Sequence, residues 1–205
     1  MIEPGIKKTF AFFDGQNLFH SAKEAFGYTY PNFDPILLAK AICQKQGWQL
    51  DKILFYTGVP AEYDNKFWSD FWIKKLAIMG TRGVAVFSRE LRYQNKIIKL
   101  KDGSQESILM GQEKGIDVRL ALDIIRFVWD QEFDIALIFS QDQDLSEVAD
   151  EVRRLAKVQS RWIKVASAFP KSPTSINKRG INKTDWISID KSTYDSCLDT
   201  RNYIV

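Results

Sequence analysis

The strongest constraint on this chain is its alternation of short apolar runs with amphipathic stretches. The run Thr9-Phe10-Ala11-Phe12-Phe13 is almost wholly apolar and too short for a buried helix. A run of this kind reads as a strand covered on both faces. A helix pattern follows over 15–26. Asp34-Pro35 then supplies an N-cap and a proline at the first helical position, opening a helix to about Gln46. The pattern continues with a strand over 51–57, a helix over 62–79 and a strand over 84–87. Further on come a helix over 116–129, a strand over 133–139, a helix over 145–157 and a last core strand over 162–166. Strands alternating with helices imply right-handed βαβ units and a mainly parallel sheet between two helical layers, a three-layer α/β/α architecture. A short strand over 186–189 and a short helix over 192–197 close the chain. Only residues 89–113 resist this reading. There, 91–94 and 96–100 suggest a hairpin or an edge strand, followed by a turn at Lys101-Asp102-Gly103-Ser104.

A length of 205 residues suits one α/β domain, and 14 Phe and 6 Trp can fill a sizeable core. We place that domain at 1–166 and a basic C-terminal extension, packed on it, at 167–205. The two cysteines, Cys43 and Cys197, lack metal-ligand spacing and read as small buried hydrophobes. The N-terminus has no secretory pattern, and no apolar run nears the ~18 residues of a membrane span. We therefore expect a reducing, cytoplasmic setting and no membrane partner, with homo-oligomerisation left open. Net charge is +3 but unevenly placed: residues 151–205 carry a balance of +6 and residues 1–150 a balance of −3. An acidic cluster beside a basic tail is the layout a polyphosphate partner would need. A solvated basic face is the bland alternative.

The acids themselves sit where strands end or helices begin. Asp14 closes the first apolar run, and Gly15 after it allows a sharp turn or a close approach. Asn17, in the first helical turn, can orient a water or a phosphate oxygen. Asp142 and Asp144 follow the run ending at Phe139, with Ser140 able to bond a carboxylate or a phosphate. Asp117 opens a helix after Lys114-Gly115-Ile116, and Asp123 lies about 120° round that helix from it, a supporting position. In an open parallel sheet, ligands bind at the carboxyl ends of the strands. Carboxylates gathered there repel unless a cation sits among them, and Mg²⁺ or Mn²⁺ suits hard oxygen ligands. Each acid also has a plain structural alternative as a helix cap. His20, the only histidine, reads as structural for want of a matching nucleophile motif.

Three segments, in this order, resemble the NYN domain family, a branch of the PIN-like nucleases. They are Phe13-Asp14-Gly15-Gln16-Asn17, Lys114-Gly115-Ile116-Asp117 with Asp123, and Ser140-Gln141-Asp142-Gln143-Asp144-Leu145. Gln141 stands where the family usually has Gly, and Leu145 where it has Phe; neither removes a carboxylate. The tract Lys178-Arg179-Gly180-Ile181-Asn182-Lys183 is similar to the tail of the LabA-like bacterial subgroup. The resemblance implies a metal-dependent nuclease, with RNA favoured over DNA. Asp14, Asp117, Asp142 and Asp144 would hold one or two Mg²⁺ or Mn²⁺ ions, while Asn17 and Ser140 align water or phosphate. Lys114, Lys171, Lys178, Arg179 and Lys183 would contact phosphates, and Tyr93, Trp162 or Trp186 would stack bases if exposed. A non-catalytic nucleic-acid-binding module on the same fold is the rival reading. A phosphatase with Asp14 as nucleophile ranks low, because Gln16 stands where a second Asp would be needed.

Overall fold

The computed structural model describes residues 1–99 and 104–203. Strands β1 (Lys8–Asp14), β2 (Gln49–Val59), β3 (Ala85–Glu90), β6 (Ile135–Phe139), β7 (Lys164–Pro170) and β8 (Asp185–Ile189) form one sheet in the order β3-β2-β1-β6-β7-β8. Every neighbouring pair in it is parallel. Strands β1 and β6 are nearly all apolar because both of their faces are covered. Phe10 and Phe12 point to one face, with Ala136 and Ile138 beside them, under α4 (Ile116–Trp129) and α5 (Ser146–Val158). Ala11 and Phe13 point to the other, with Leu137 and Phe139, under α1 (Gly15–Phe26), α2 (Pro35–Gln46) and α3 (Glu62–Thr81). The rings of Phe13 and Phe139 stack there with centroids 4.0 Å apart. This is the expected three-layer α/β/α arrangement.

The periodicity placed most elements well. On α4, Ile116, Leu120, Ile124 and Phe127 recur at helical spacing, and all four are buried. Helix α3 buries Phe71, Trp72, Leu76 and Met79 and leaves Phe67 and Ile78, which share a helical spacing with Phe71, exposed. The α3 backbone departs from helical geometry at Asn65, which rotates the first turn relative to the rest. Lys75 lies on the buried face because its ammonium bonds the Phe33 carbonyl (3.1 Å) and Asp199 (3.0 Å). That pair ties the end of the chain to the core.

Residues 89–113 hold the largest correction. The sequence suggested two short pieces, 91–94 and 96–100. Instead β4 (Arg92–Lys99) is continuous and pairs antiparallel with β5 (Gln105–Gln112), a strand the sequence did not reveal. The turn expected at 101–104 lies outside the described residues except for Ser104. The ribbon stands apart from the main sheet, so neither strand has a core face to impose an apolar period.

The chain after residue 166 is part of the same body. Strand β8 adds to the sheet beside β7, and Tyr194 on α6 (Lys191–Asp195) is fully buried with its hydroxyl donating to Asn32 (3.1 Å). Cys43 and Cys197 are buried and unbridged, and burial pushes both thiols up, that of Cys43 to about 12. No helix among the described residues is long and apolar enough to cross a membrane.

Candidate active site

The strand order reverses direction between β1 and β6: from β1 the chain winds outward to β3 on one side and to β8 on the other. A crevice opens at such a switch point, beyond the carboxyl ends of the central strands. Asp14 ends β1, and Asp142 follows β6 by three residues. Their strands are adjacent and in register, with Phe13 opposite Phe139.

A cleft of about 310 Å³ lies there, lined by Asp14, Gln16, Asn17, His20, Glu113, Asp117 and Asp142. Asp14 caps α1, its Oδ1 accepting from the Asn17 backbone N–H (3.1 Å). Ser140, buried, links the two central acids. Its hydroxyl donates to Asp14 Oδ2 (3.0 Å) and accepts from the Asp142 N–H (3.1 Å). Asn17 Oδ1 accepts from the Gln141 N–H (2.8 Å), fixing the helix start against the β6 turn. Gly15 is required where α1 starts, since a Cβ would lie 2.7 Å from the Phe55 ring.

Glu113 is the acid the sequence reading missed. It sits between β5 and α4, beside the Lys114-Gly115 step that opens the helix. Its carboxylate lies over the end of β2, where a Cβ on Gly58 would stand 3.2 Å from Oε2. The signal was present, an acid directly ahead of a glycine-led helix start. It went unread because β5 was not recognised as the strand delivering it. Gln16 and His20 also line the cleft; Gln16 Nε2 donates to the Gly58 carbonyl (3.2 Å). Arg89 was missed too. A Cβ on Gly115 would lie 2.8 Å from its guanidinium, which places Arg89 at the rim formed by the start of α4.

Like charges and burial shape the site's acidity. Burial raises Asp14 to about 6, helped by the charges of Asp142 and Asp117 and opposed by its bonds from Asn17 and Ser140. Burial, then the charge of Asp14, raises Glu113 to about 7, against a bond from the Gly58 N–H. The His20 imidazole is lowered by burial and by Lys23.

Two acids chosen from sequence stand elsewhere. Asp144 is exposed outside the cleft lining, and its backbone N–H donates to Asp142 Oδ1 (3.0 Å), holding that carboxylate in place. Asp123 is on the buried face of α4, accepting from the Tyr56 hydroxyl (3.0 Å) and Arg119 Nε (2.9 Å), with Arg126 at 3.4 Å. That network braces α4 against β2.

Among the phosphate candidates, Lys114, Lys171, Lys178 and Arg179 are exposed and have no carboxylate partner among the described residues. Lys183 is paired with Asp150. The segment 176–182 is fastened beside the Asp142 turn. Gln141 Nε2 donates to the carbonyls of Arg179 (2.7 Å) and Asn177 (3.4 Å), and its Oε1 accepts from Ser21 (2.7 Å). Gln143 donates to the Gly180 carbonyl (3.0 Å) and accepts from the Asn182 N–H (3.1 Å). Glu24 accepts from the N–H groups of Ile176 and Asn177. The glutamine at 141 thus has a physical task a glycine could not perform. Of the aromatic candidates, Tyr93 bonds Asp64 and the Ala61 N–H, and Trp186 donates to the Ile181 carbonyl, so both hydroxyl and indole are engaged. Trp162 is half-buried on the far side, near Ser160 and Arg161.

The NYN domain family model matches residues 8–177. The chain belongs to the NYN domain family. NYN domains are a branch of the PIN-like nucleases, which generally use divalent metal ions, and membership supports a nuclease function for this chain. No curated protein matches it in sequence. The crystal structure of a protein of unknown function from Vibrio parahaemolyticus RIMD 2210633 shares its fold. The TM-score is 0.53 at 21% identity, over 93% of this chain and 98% of that one. MurG from Acinetobacter baumannii aligns at a TM-score of 0.34 and 11% identity, over 89% of this chain and 45% of that one, too low to bear on this NYN domain.

Proposed function

We propose that this NYN domain is a metal-dependent nuclease that hydrolyses phosphodiester bonds by an activated water, with RNA favoured over DNA. The observation that carries this reading is the gathering of Asp14, Glu113, Asp117 and Asp142 on one cleft at the switch point, with two of them pushed up by burial and by their neighbours. Such a set is relieved by a cation. All four donors are hard oxygens, which suits Mg²⁺ or Mn²⁺. Among the described residues no three acidic, histidine or cysteine side chains already close on one point. An open cleft of this width fits a hydrated ion that keeps several of its waters. When bound, such an ion supplies an acidified water and offsets charge on the phosphate.

The chain's own residues do the positioning. Ser140 ties the Asp14 carboxylate to the Asp142 backbone N–H, and the Asp144 N–H holds the Asp142 carboxylate. Asn17 and Gln16 offer amide groups to water or phosphate at the cleft wall. Glu113, on the cleft wall opposite the Asp14–Asp142 pair, is placed to accept the proton an attacking water releases. Arg89 and Lys114 at one rim, and Lys178 and Arg179 on the fastened loop, present cations to the phosphates on either side. Asp144 adds charge at the mouth. Membership of the LabA-like subgroup is proposed on the 178–183 tract alone.

The test is incubation with labelled single-stranded RNA and DNA in Mn²⁺, Mg²⁺ or EDTA. Cleavage that needs the metal supports the reading. Tight binding without cleavage in any metal favours the non-catalytic module instead.

A further inference from the structure

The β4–β5 ribbon projects from the cleft with two unequal edges. An isolated two-stranded ribbon is marginal in water, and an unprotected edge invites another strand. The β4 edge is guarded by Arg92, Lys96 and Lys99. The β5 edge is not. From Ser107 to Gly111 it reads Ser-Ile-Leu-Met-Gly, with no charge and no proline. Ile108, Leu109 and Met110 are 38%, 50% and 41% exposed, and β5 has no strand partner but β4 among the described residues.

We propose that β5 pairs antiparallel with β5 of a second copy of this chain, joining two ribbons into a four-stranded sheet. The two-fold axis that relates adjacent antiparallel strands stands perpendicular to the sheet, so side chains facing each other must share a face. Centred on Leu109, this pairing sets Leu109 opposite its own copy and Ile108 opposite the partner's Met110. Ser107 then faces the partner's Gly111. Glu106, the one carboxylate of the strand, faces the amide of the partner's Gln112. No like charges are opposed. Pairing along β4 can also avoid directly opposed cations, as when it is centred on Asn95, but it gathers Arg92, Lys96 and Lys99 of both copies along one seam with no carboxylate of β4 to offset them. A second copy fits the β5 seam because that strand is complementary to itself in this register, apolar side chain against apolar side chain and Glu106 against an amide. The β4 cations remain on the outer edges. The start of the partner's β5 comes to lie by Gln112, one residue from Glu113 of the cleft. This inference does not depend on the chain being a nuclease.

The mass of the purified full chain in solution, by sedimentation or light scattering, tests it. The wild type is expected as a dimer with a melting temperature that rises with concentration, and Leu109→Lys as a folded monomer whose melting temperature does not, since residue 109 is 50% exposed in the single chain. Ile97→Lys, on the guarded strand and 70% exposed, is expected to stay dimeric. Leu109→Cys is expected to cross-link as a disulfide dimer on oxidation, because facing cross-strand side chains stand about 5 Å apart. The native Cys43 and Cys197 are buried and should not interfere. A monomeric wild type overturns the proposal, as does a Leu109→Lys variant that remains dimeric. A monomer whose RNA affinity falls in Lys96→Glu would assign the ribbon to nucleic acid instead and overturn it equally.

Discussion

Two segments flank the cleft and are built in opposite ways. The loop at 176–182 is held by side-chain amides of Gln141 and Gln143 and by the Glu24 carboxylate, each bonded to loop backbone. It has almost no freedom relative to the Asp142 turn, and its exposed cations are placed in advance. The β4–β5 ribbon is anchored at its base, where the Tyr93 hydroxyl accepts from the Ala61 N–H (2.9 Å) and Leu91 packs against Gly58. Its two strands are joined by a backbone ladder, and most of their described side chains are exposed. A segment bonded to the site can tune how substrate sits. A segment that projects from it is free to meet something outside the molecule. The difference predicts that changes in the two regions will be read by different measurements.

The largest effect is expected at neither flank but between them. Asp14→Asn or Asp142→Asn should lower metal-dependent cleavage roughly 10³-fold or more, the loss of several kcal/mol of charge stabilisation. Ribbon substitutions such as Ile97→Lys should leave single-turnover cleavage within about threefold, well under 1 kcal/mol. A ribbon variant that matches the aspartate loss would erase the distinction between arm and site.

On the fastened side, Gln141→Ala removes the bonds to Arg179, Asn177 and Ser21. Stability should fall by about 1–3 kcal/mol, and amide exchange should speed up over 176–182 while the ribbon is unaffected. Uniform exchange changes across both segments would show that the loop is not separately latched.

A smaller effect is expected from the cations. Lys178→Ala with Arg179→Ala should flatten the salt dependence of single-strand binding by about 1.4, roughly 0.7 for each phosphate no longer neutralised. Adding Lys183→Ala should change it less, since that ammonium is already paired with Asp150. Maximal rate should change little. Equal contributions from all three would mean the Asp150 pair opens on binding.

The smallest effect concerns stability against pH without metal. Asp14 and Glu113 bind their protons more tightly folded than unfolded. Their stabilising contribution is therefore complete at low pH and is lost as pH rises through about 4 to 7. Asp14→Asn keeps the capping oxygen and loses the charge, so its melting temperature should exceed that of the wild type at pH 8 and match it near pH 4. A mutant less stable at pH 8 would mean that Asp14 is structurally required.

The same contrast explains what the sequence could and could not convey. Strands β1 and β6 are covered on both faces, so their apolar runs and the acids at their ends were legible, and with them the switch-point cleft. Helix α4 was legible because a buried face imposes a 3.6-residue period. Strand β5 faces water on both sides, and nothing imposed a pattern on it. Glu113 went unseen with it. The sequence could not say which way Asp123 and Asp144 face, because an acid near a helix start looks the same whether it meets a cleft, a tyrosine or solvent. The partners of Lys75 and Gln141 could not be read from the chain, because only the meeting of distant segments supplies them.

The most direct test of the central claim, that this cleft is a metal-dependent nuclease centre, is cleavage of labelled single-stranded RNA by wild type and Asp142→Asn side by side, in Mn²⁺ and in EDTA. The account predicts cleavage by the wild type in Mn²⁺, none in EDTA, and none above background by the folded mutant in either. Cleavage that persists in EDTA, or in Asp142→Asn with Mn²⁺, would contradict it.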